Sequence, residues 1–364
     1  MFKRYNGGGG TLFFLNIPPP YGGGEIVNQF LLEKIKDSYN IITVSREVHG
    51  KSSQGRLNLG NILAGIRILL YQGFWILRLR PRAIFVGIPK DYFAFFRMSL
   101  LVHLANFTGA KVVGDLHGMG FKFLHGDRDR YYLYTINKFH RMRVLGRKIK
   151  ADIAATGYRH ELRVIDNGIE VPGNFRRTPS QPNKPLRLLY FGAISESKGF
   201  GRTVEVFREI CRRYPGRVAL DIAGEFADSR SRLVFDSLLS ESAALGPVQY
   251  HDRVLHDAKW SLLSSSALLI HLSDYDGQPL TIIEAMACGV PTIATKVGAI
   301  PEMITHEVDG FLVDDYRVDV VRIISGILDG TIDREKIADN AAETYRSRFT
   351  VEKYSENIRS LVTF

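Results

Sequence analysis

The chain has 364 residues, a length that favours two domains over one. Hydrophobic residues make up 45% and charged residues 24%, which is ordinary for a soluble globular protein. The two cysteines, Cys211 and Cys288, have neither metal-ligand spacing nor the number that a disulfide framework needs. The composition therefore excludes a disulfide-stabilised secreted scaffold and favours a reducing compartment.

The net charge of +10 is unevenly distributed along the chain. Residues 1–170 hold 25 Lys/Arg and 12 Asp/Glu, whereas residues 171–364 hold 23 Lys/Arg and 26 Asp/Glu. The first half is thus strongly basic and the second is slightly acidic. This asymmetry suggests an anionic surface or ligand for the first half.

The apolar stretches of the first half are short or interrupted. Residues 11–17 are too few for the core of a signal peptide, so we expect none. Residues 62–77 and 92–107 are the longest apolar stretches, but they contain Arg67 and Arg97. We therefore expect buried or interfacial helices there rather than membrane spans.

Short apolar runs alternate with longer helical ones, as in βαβ units. A glycine-rich turn joins the first strand to a helix over residues 25–38. An Asn167-Gly168 turn closes the first half. Strands of the first half are predicted at residues 11–17, 41–45, 83–87, 111–115 and 153–156.

The segment 172–186 is rich in Pro, Asn, Ser and Thr and has no periodicity, so we predict a linker there. It would join a domain of residues 1–171 to one of residues 187–345. Residues 346–364 are predicted as a C-terminal helix that packs back toward the N-terminal domain. Strands of the second half are predicted at residues 187–191, 218–223, 248–251, 267–272, 292–295 and 310–313.

These elements predict an α/β protein with two Rossmann-like domains, whose parallel sheets would face each other across a ligand cleft. Neither half has Gly-x-Gly-x-x-Gly after its first strand, which makes a dinucleotide oxidoreductase the least favoured class.

Two carboxylates eight positions apart are the most informative feature. Asp276 lies in a turn marked by Gly and Pro, and Glu284 lies two turns into an apolar helix. Between them is a helix N-terminus, which favours an anion. An anion site with a carboxylate on each side suits a phosphate that carries a polyhydroxylated group at each end, as in a nucleotide sugar. The alternatives are an N-cap role for Asp276 and a solvated helix position for Glu284.

The segment 276–291 resembles the acidic-seven-acidic signature of the retaining glycosyltransferases of family 4, the group 1 glycosyltransferases, and its Ala-Met-Ala-Cys-Gly-Val-Pro run is similar too. These enzymes have the GT-B fold. Asp276 stands where the family usually has Glu. The resemblance implies that Glu284 binds the ribose and that Asp276 contacts the transferred sugar. It also implies donor contacts from Gly277 and from the backbone N–H groups of Leu280 and Thr281.

Two further segments are similar to donor-binding segments of this family. Gly23 and Gly24 open the first predicted helix, where backbone can approach a phosphate, although a plain strand–helix turn explains them as well. Lys198 matches the family's phosphate-binding lysine, and a solvated lysine is the alternative. Ala193 stands where the family has a phosphate-binding Arg, so Arg202 is a candidate substitute. Arg253 is a candidate near the base.

His117 follows a predicted strand at the carboxyl edge of the first sheet. A structural histidine is the alternative, and Asp115 is a nearby polar residue with a more structural interpretation. The family has a histidine at the corresponding strand end, near the donor sugar and acceptor. The resemblance therefore implies His117 and Asp276 as the catalytic pair of side chains.

Residues 138–150 mix cations with apolar residues. They are interpreted either as a solvated helix face or as a docking segment for an anionic membrane leaflet, with residues 62–77 as its apolar companion. We expect no nucleic-acid partner, because no nucleic-acid-binding module is recognisable.

The resemblance implies a metal-independent, retaining hexosyltransferase without a cofactor. It would move a sugar from a UDP- or GDP-sugar to a lipid-linked or polysaccharide acceptor in cell-surface glycan synthesis, such as lipopolysaccharide or exopolysaccharide. The expected location is cytoplasmic and peripheral on the inner face of the plasma membrane. A nucleotide-sugar epimerase of the same fold and a non-catalytic sugar- or membrane-binding scaffold are the alternatives.

Overall fold

The computed structural model describes residues 2–45, 59–89, 91–118, 128–172 and 184–364. The chain falls into two compact units, one of Met1–Gly168 with Val351–Phe364 and one of Ile169–Thr350. Most of the predicted linker, residues 173–183, lies outside the described residues.

The first unit is built on a seven-stranded sheet with the strand order β1-β3-β2-β4-β5-β6-β7. Strand β1 runs antiparallel to β3, and every other pairing in this sheet is parallel. The strands are β1 (Phe2–Asn6), β2 (Gly9–Asn16), β3 (Tyr39–Val44), β4 (Ala83–Gly87), β5 (Lys111–Asp115), β6 (Arg141–Val144) and β7 (Glu161–Val164).

Helices cover this sheet and bury most residues of its central strands. In β2 four consecutive apolar residues from Leu12 to Leu15 are buried, the continuous pattern of a parallel sheet covered on both faces. The last helix of the chain packs against the first, where Arg359 donates to the carbonyl of Lys34 at 2.6 Å. The helices of this unit are α1 (Gly23–Ile35), α2 (Leu59–Leu79), α3 (Tyr92–Phe107), α4 (Arg128–Ile136), α5 (Arg147–Ala155) and α13 (Val351–Val362).

The second unit is built on a six-stranded parallel sheet with the order β10-β9-β8-β11-β12-β13. Numbered from its own first strand this order is 3-2-1-4-5-6, which is the Rossmann order. The direction of winding reverses between β8 and β11, so this edge is where an open α/β sheet binds ligands. The strands are β8 (Leu186–Phe191), β9 (Val218–Ala223), β10 (Val248–His251), β11 (Leu268–His271), β12 (Thr292–Thr295) and β13 (Phe311–Val313).

Amphipathic helices bury their apolar faces against this sheet. In α6, for example, Val204, Phe207 and Cys211 are buried at spacings of three and four residues, which places them on one helix face. The helices are α6 (Phe200–Arg213), α7 (Ser229–Leu245), α8 (His256–Ser265), α9 (Leu280–Ala287), α10 (Ile300–Met303), α11 (Tyr316–Leu328) and α12 (Arg334–Arg348).

The α/β class and the parallel sheets are confirmed, but two predictions in the first half are wrong. The predicted strand 153–156 is the end of helix α5, because the short apolar run belongs to a helical stripe in which Ile149 and Ile153 are buried. The segment 138–150 is not a solvated helix face, because it contains strand β6 with Arg143 wholly buried. Strands β1 and β6 were not predicted.

One helix is relevant to the membrane prediction. Within the described residues, Gly60–Leu79 of α2 is long and apolar enough to cross a membrane by length and composition alone.

Candidate functional site

The loops after β8 and β11 converge at the edge where the second sheet reverses. Strands β8 and β11 are direct neighbours, so their carboxyl ends lie side by side. A glycine holds the two loops together: Gly199 has φ +76°, and a Cβ there would lie 2.1 Å from the carbonyl oxygen of Leu272. Any other residue would force these loops apart. Lys198, just before this glycine, is therefore fixed beside the loop that carries Asp276.

A second glycine supports the turn that contains Asp276 and Gly277. Gly298 has φ +55°, and a Cβ there would lie 1.9 Å from the carbonyl oxygen of Asp276. The next residue, Ala299, donates its N–H to the carbonyl of Gly277 at 2.8 Å. The segment after β12 thus holds the backbone of the acidic turn in place.

Both carboxylate oxygens of Asp276 are engaged by cationic or ring nitrogen groups. Lys198 Nζ lies 2.6 Å from Oδ1, and His271 Nε2 lies 2.9 Å from Oδ2. Burial would raise the pKa of Asp276, but His271 and Lys198 together lower it below its ordinary value. Asp276 is not a helix cap, since the N-cap of α9 is Pro279 without a side-chain hydrogen bond.

Glu284 is buried on α9 and is paired with a lysine that the sequence analysis missed. Only 5% of Glu284 is exposed, which rules out a solvated helix position. Lys259 of α8 places its Nζ 2.8 Å from Oε1 of Glu284. Burial raises the pKa of Glu284 in spite of this neighbouring ammonium group. No spacing in the sequence links two helices in this way, so Lys259 carried no signal.

The N-terminus of α9 lies between the two acids in the sequence. Leu280 and Thr281 begin the helix, where backbone N–H groups have no partner within the helix. The buried hydroxyl of Thr281 has no hydrogen-bond partner among the described residues. This end of α9 therefore offers donors to an anionic group.

The two arginine candidates, Arg202 and Arg253, each form an ion pair with an acidic neighbour. Arg202 donates to the carbonyl of Leu272 at 3.2 Å and pairs with Asp274. Arg253 lies 3.8 Å from Glu225. Arg202 thus supports the loop after β11, and its role as a substitute for the arginine missing at Ala193 stays a prediction.

In the first unit, the glycine-rich turn and the candidate histidine lie together. Helix α1 begins at Gly23 after the N-cap Gly22. A Cβ on Gly24 would lie 3.3 Å from Cγ of His117, so the start of α1 packs on the imidazole. The two predicted elements of this half, separated by almost a hundred residues, are therefore neighbours at the carboxyl edge of the first sheet.

A buried network holds His117 from below. Its Nε2 lies 2.8 Å from Oδ2 of Asp115, and Oδ1 of Asp115 accepts from Arg143 at 2.8 Å. Asp115 and Arg143 are 1% and 0% exposed. Burial would raise the pKa of Asp115, but His117 and Arg143 hold it well below its usual range. Asp115 is thus the structural support that its position suggested.

Each of the three guanidinium nitrogens of Arg143 donates a hydrogen bond in this network. It donates to Oδ1 of Asn167 at 2.6 Å and to the carbonyl of Ile165 at 3.0 Å. Its guanidinium carbon lies 4.8 Å from the ring centre of Tyr354 in α13. The sequence analysis counted Arg143 among surface cations; its alternation with apolar residues in Arg-Met-Arg-Val is the strand signal that would have placed it.

No three His, Cys, Asp or Glu side chains converge as a metal site would require, as far as the described part of the chain shows. The expectation of a metal-independent, cofactor-free reaction stays a prediction.

Comparison with known proteins agrees with this arrangement. A family model described as "Glycosyl transferases group 1" matches residues 173–344. The N-acetyl-alpha-D-glucosaminyl L-malate synthase of Bacillus anthracis is 29% identical over 211 residues, covering 53% of this chain and 52% of that protein. The amylovoran biosynthesis glycosyltransferase AmsK of Erwinia amylovora is 32% identical over 136 residues, covering 36% of this chain and 32% of that protein. The chain thus spans about half, or less, of the length of these curated relatives.

Solved structures match over nearly the whole chain. Anabaena Alr3699/HepE in complex with UDP-glucose has a TM-score of 0.70 at 17% identity, covering 96% of this chain and 98% of that chain. The sucrose-phosphate synthase of Thermosynechococcus elongatus has a TM-score of 0.74 at 15% identity, with coverages of 96% and 98%. The lipopolysaccharide outer core galactosyltransferase WaaB has a TM-score of 0.67 at 17% identity, with coverages of 97% and 99%.

The two kinds of match support one another. The family model falls on the unit that carries Lys198, Asp276 and Glu284, and the structural matches extend the likeness to both units. The resemblance to the group 1 glycosyltransferases is thereby confirmed. Residues 173–344 match the group 1 glycosyl transferase model, and the chain as a whole has the GT-B fold.

Proposed function

We propose that the protein is a retaining glycosyltransferase of family 4. It transfers a hexose from a UDP- or GDP-sugar to a lipid-linked or polysaccharide acceptor in cell-surface glycan synthesis. The observation that carries the proposal is the convergence of Lys198 and Asp276 at the switch point of the second sheet, with Glu284 on the helix that follows.

Each donor part has a matching group in this arrangement. The buried carboxylate of Glu284 would accept hydrogen bonds from ribose hydroxyls, which compensates the cost of burying its charge. Lys198 and the N–H groups of Leu280 and Thr281 would bind the diphosphate. Asp276 would accept from hydroxyls of the transferred sugar, and the neighbouring Gly277 would contribute a donor contact.

The ammonium group of Lys198 is paired with the carboxylate of Asp276, and a bound diphosphate would have to displace this carboxylate. A diphosphate at Lys198 would compete with Asp276 for the ammonium group, and its arrival would free one carboxylate oxygen for the sugar. His271 would keep the other oxygen in place during this exchange. Binding of the diphosphate would thereby prepare the acid that holds the sugar.

The proposed reaction needs no carboxylate nucleophile. The acceptor would attack the face of the sugar from which the diphosphate leaves, and the leaving phosphate would help remove the acceptor's proton. The task of the protein is then to position the reactants and stabilise the departing charge. No metal and no cofactor are part of this proposal.

Relatives support the substrate class. HepE was solved with UDP and with UDP-glucose, which supports a nucleotide-sugar donor. The names of AmsK and WaaB refer to amylovoran and to the lipopolysaccharide outer core, which supports a cell-surface glycan as product. We extend the proposal to a cytoplasmic location, peripheral on the inner face of the plasma membrane, on the basic charge of the first half.

The test is a donor panel with and without acceptor. The purified chain is incubated with UDP-glucose, UDP-galactose, UDP-N-acetylglucosamine and GDP-mannose, with and without a bacterial lipid extract. We expect one donor to release its nucleoside diphosphate only when the extract is present. Conversion of the donor into its epimer without an acceptor would identify an epimerase, and calorimetry without binding to any donor would identify a scaffold. Either result overturns the proposal.

Glu284→Ala then tests the site with the identified donor. We expect transfer to fall by at least about 100-fold, since a positioned group at the donor is removed. Glu284→Gln keeps the volume, and Glu343→Ala removes an exposed carboxylate of α12 as the matched control with full activity. Circular dichroism confirms the fold of each variant. Full activity of Glu284→Ala would refute the assignment of this residue.

A further inference from the structure

An exposed apolar stripe runs along α2. Leu63, Ile66, Leu70, Phe74 and Leu77 are all large and exposed, and Leu70 is 66% exposed. Their spacings of three and four residues place them on one face of the helix. A surface helix of a folded unit normally turns such a stripe toward the core, and an exposed stripe of this size is typical of an interaction surface.

Helix α3 carries a second stripe of the same kind. Phe93, Phe96, Leu100 and Phe107 are exposed, and Phe107 is 88% exposed. Their spacings of three, four and seven residues again define a single face. The opposite face of α3, with Phe95, is buried.

The two stripes lie side by side. A Cβ on Gly65 of α2 would lie 3.4 Å from Nη1 of Arg97, and one on Gly73 would lie 3.4 Å from Cδ2 of Leu104. Both contacts advance in the same direction along α2 and α3, so the helices are parallel neighbours in close contact. Their outward stripes form one surface, called here the apolar face: Leu63, Ile66, Leu70, Phe74, Leu77, Phe93, Phe96, Leu100 and Phe107.

The charged residues of α2 and α3 are all arginines. Residues 59–89 contain four arginines and no Asp or Glu, and Arg67 and Arg78 are exposed on α2 among the apolar side chains. The acid just before α3, Asp91, is its N-cap and accepts from the N–H of Ala94 at 2.9 Å. The face is therefore complementary to a negatively charged surface.

We propose that the apolar face docks on the anionic phospholipid leaflet of a membrane. Aliphatic and aromatic side chains would enter the acyl region, while Arg67 and Arg78 would keep their guanidinium groups at the phosphates. The positive charge of these arginines beside the apolar side chains complements anionic phospholipid headgroups above an acyl layer. The inference rests on the proposed function only for the membrane location, and vesicle binding is measured without any sugar transfer.

Vesicle flotation tests the proposal with the full chain. We expect the wild type to float with phosphatidylglycerol vesicles and much less with phosphatidylcholine vesicles, and high salt to weaken the binding. Leu70→Ser/Phe74→Ser/Phe96→Ser should weaken binding at least tenfold. Arg67→Gln/Arg78→Gln should reduce the preference for phosphatidylglycerol severalfold.

The matched control removes equally exposed apolar residues from the second unit. Leu233 and Val318 are 69% and 61% exposed and lie on different helices, so Leu233→Ser/Val318→Ser should float like the wild type. Circular dichroism and urea unfolding check that every variant is folded. No flotation of the wild type, or equal loss in the control, overturns the proposal. So does a dimer in gel filtration that the face variant splits while vesicle binding is unchanged, because the occupant would then be a second copy of the chain.

Discussion

The two clusters of candidate side chains are built in different ways. In the first unit, His117 is held by Asp115 and Arg143, which are both buried and hydrogen-bonded to groups of their own unit. In the second unit, Asp276 is held by Lys198, whose side chain is one-third exposed. The first cluster is a fixed support for one imidazole, and the second is a set of ion pairs within reach of solvent and ligand.

The difference follows from the energetics of buried charge. Arg143 is removed from water, and such a group is tolerated only where its donors meet acceptors. Asp115, Asn167 and the carbonyl of Ile165 supply these acceptors, and each link restricts the next. Lys198 keeps part of its hydration, so its bond to Asp276 is weaker and can be exchanged for a bond to an anionic ligand. In the proposed function, the first cluster fixes the position of His117 and the second exchanges its ion pair for a bond to the donor.

The largest effect is expected from Arg143→Leu. The substitution leaves the carboxylate of Asp115 buried beside His117 without its guanidinium partner, and removing one member of a buried pair costs about 3–5 kcal/mol. The measurement is the free energy of unfolding from urea denaturation. Arg163→Leu is the matched control in the same unit, because its pair with Glu161 is partly exposed and is worth at most about 1 kcal/mol.

A double variant tests whether the loss of stability comes from leaving the charge of Asp115 unpaired. Arg143→Leu/Asp115→Leu removes both charges, so it should recover part of the stability that the single substitution loses. Equal stability of Arg143→Leu and Arg163→Leu would show that the buried network contributes no more than a surface ion pair. The comparison between the two clusters would then fail.

The next effect, from Lys198→Ala, concerns activity rather than stability. Loss of a positioned cation at the diphosphate should lower kcat/KM for the identified donor by about 10²–10³-fold. The free energy of unfolding should change by no more than about 1 kcal/mol, since Lys198 is partly hydrated and His271 still holds Asp276. Activity and unfolding are measured on the same preparation.

Arg202→Ala is the control for this substitution. Arg202 is bonded to Asp274 and to the carbonyl of Leu272, so its loss should lower kcat/KM by less than about tenfold. A loss as large as that of Lys198→Ala would show that Arg202 takes the place of the arginine missing at Ala193. An unfolding loss in Lys198→Ala as large as in Arg143→Leu would instead make Lys198 a structural residue.

Much of the second unit was predictable from the sequence because its strands are short, apolar and bounded by turn residues. The strands at 218–223, 248–251 and 292–295 lie at the predicted positions. The acidic pair and Lys198 were proposed because each lies in a short segment that resembles the family, and their roles stay predictions. Lys259 and His271 were missed, since each meets its carboxylate only through tertiary packing that no local pattern encodes.

The first unit was less predictable because charged residues in strand β6 interrupt the apolar pattern by which a strand is recognised. The sequence of β6 is Arg-Met-Arg-Val, and two arginines in four residues indicate an exposed segment. In the folded unit, however, Arg143 is buried and paired with Asp115. The neighbouring run at 153–156 is apolar and short, which fits a strand or a helix end equally well by pattern. A buried ion pair is a property of two distant segments, so the sequence around either one gives no indication of it.

The smallest expected effect is a pH dependence of donor affinity, which distinguishes Glu284 from Asp276 because their pKa values are shifted in opposite directions. Burial raises the pKa of Glu284 above its ordinary 4.5, whereas His271 and Lys198, against the effect of burial, lower that of Asp276 below 3.8. As pH falls, Glu284 is therefore protonated first and loses its ability to accept from the ribose. Affinity for UDP-glucose, which has no terminal phosphate that titrates near neutrality, should fall by up to about tenfold per pH unit below the raised pKa.

The sign for stability is opposite for the two acids. Because the folded state raises the pKa of Glu284, the stability linked to its protonation is present below 4.5 and is lost as pH rises through the raised value. For Asp276 the linked stability is present above 3.8 and is lost as pH falls through the lowered value. Calorimetry and urea unfolding from pH 7 downward, on the wild type and Glu284→Gln, measure both. A fall in affinity that persists unchanged in Glu284→Gln would assign the titration to another group, and ribose binding by Glu284 would lose its support.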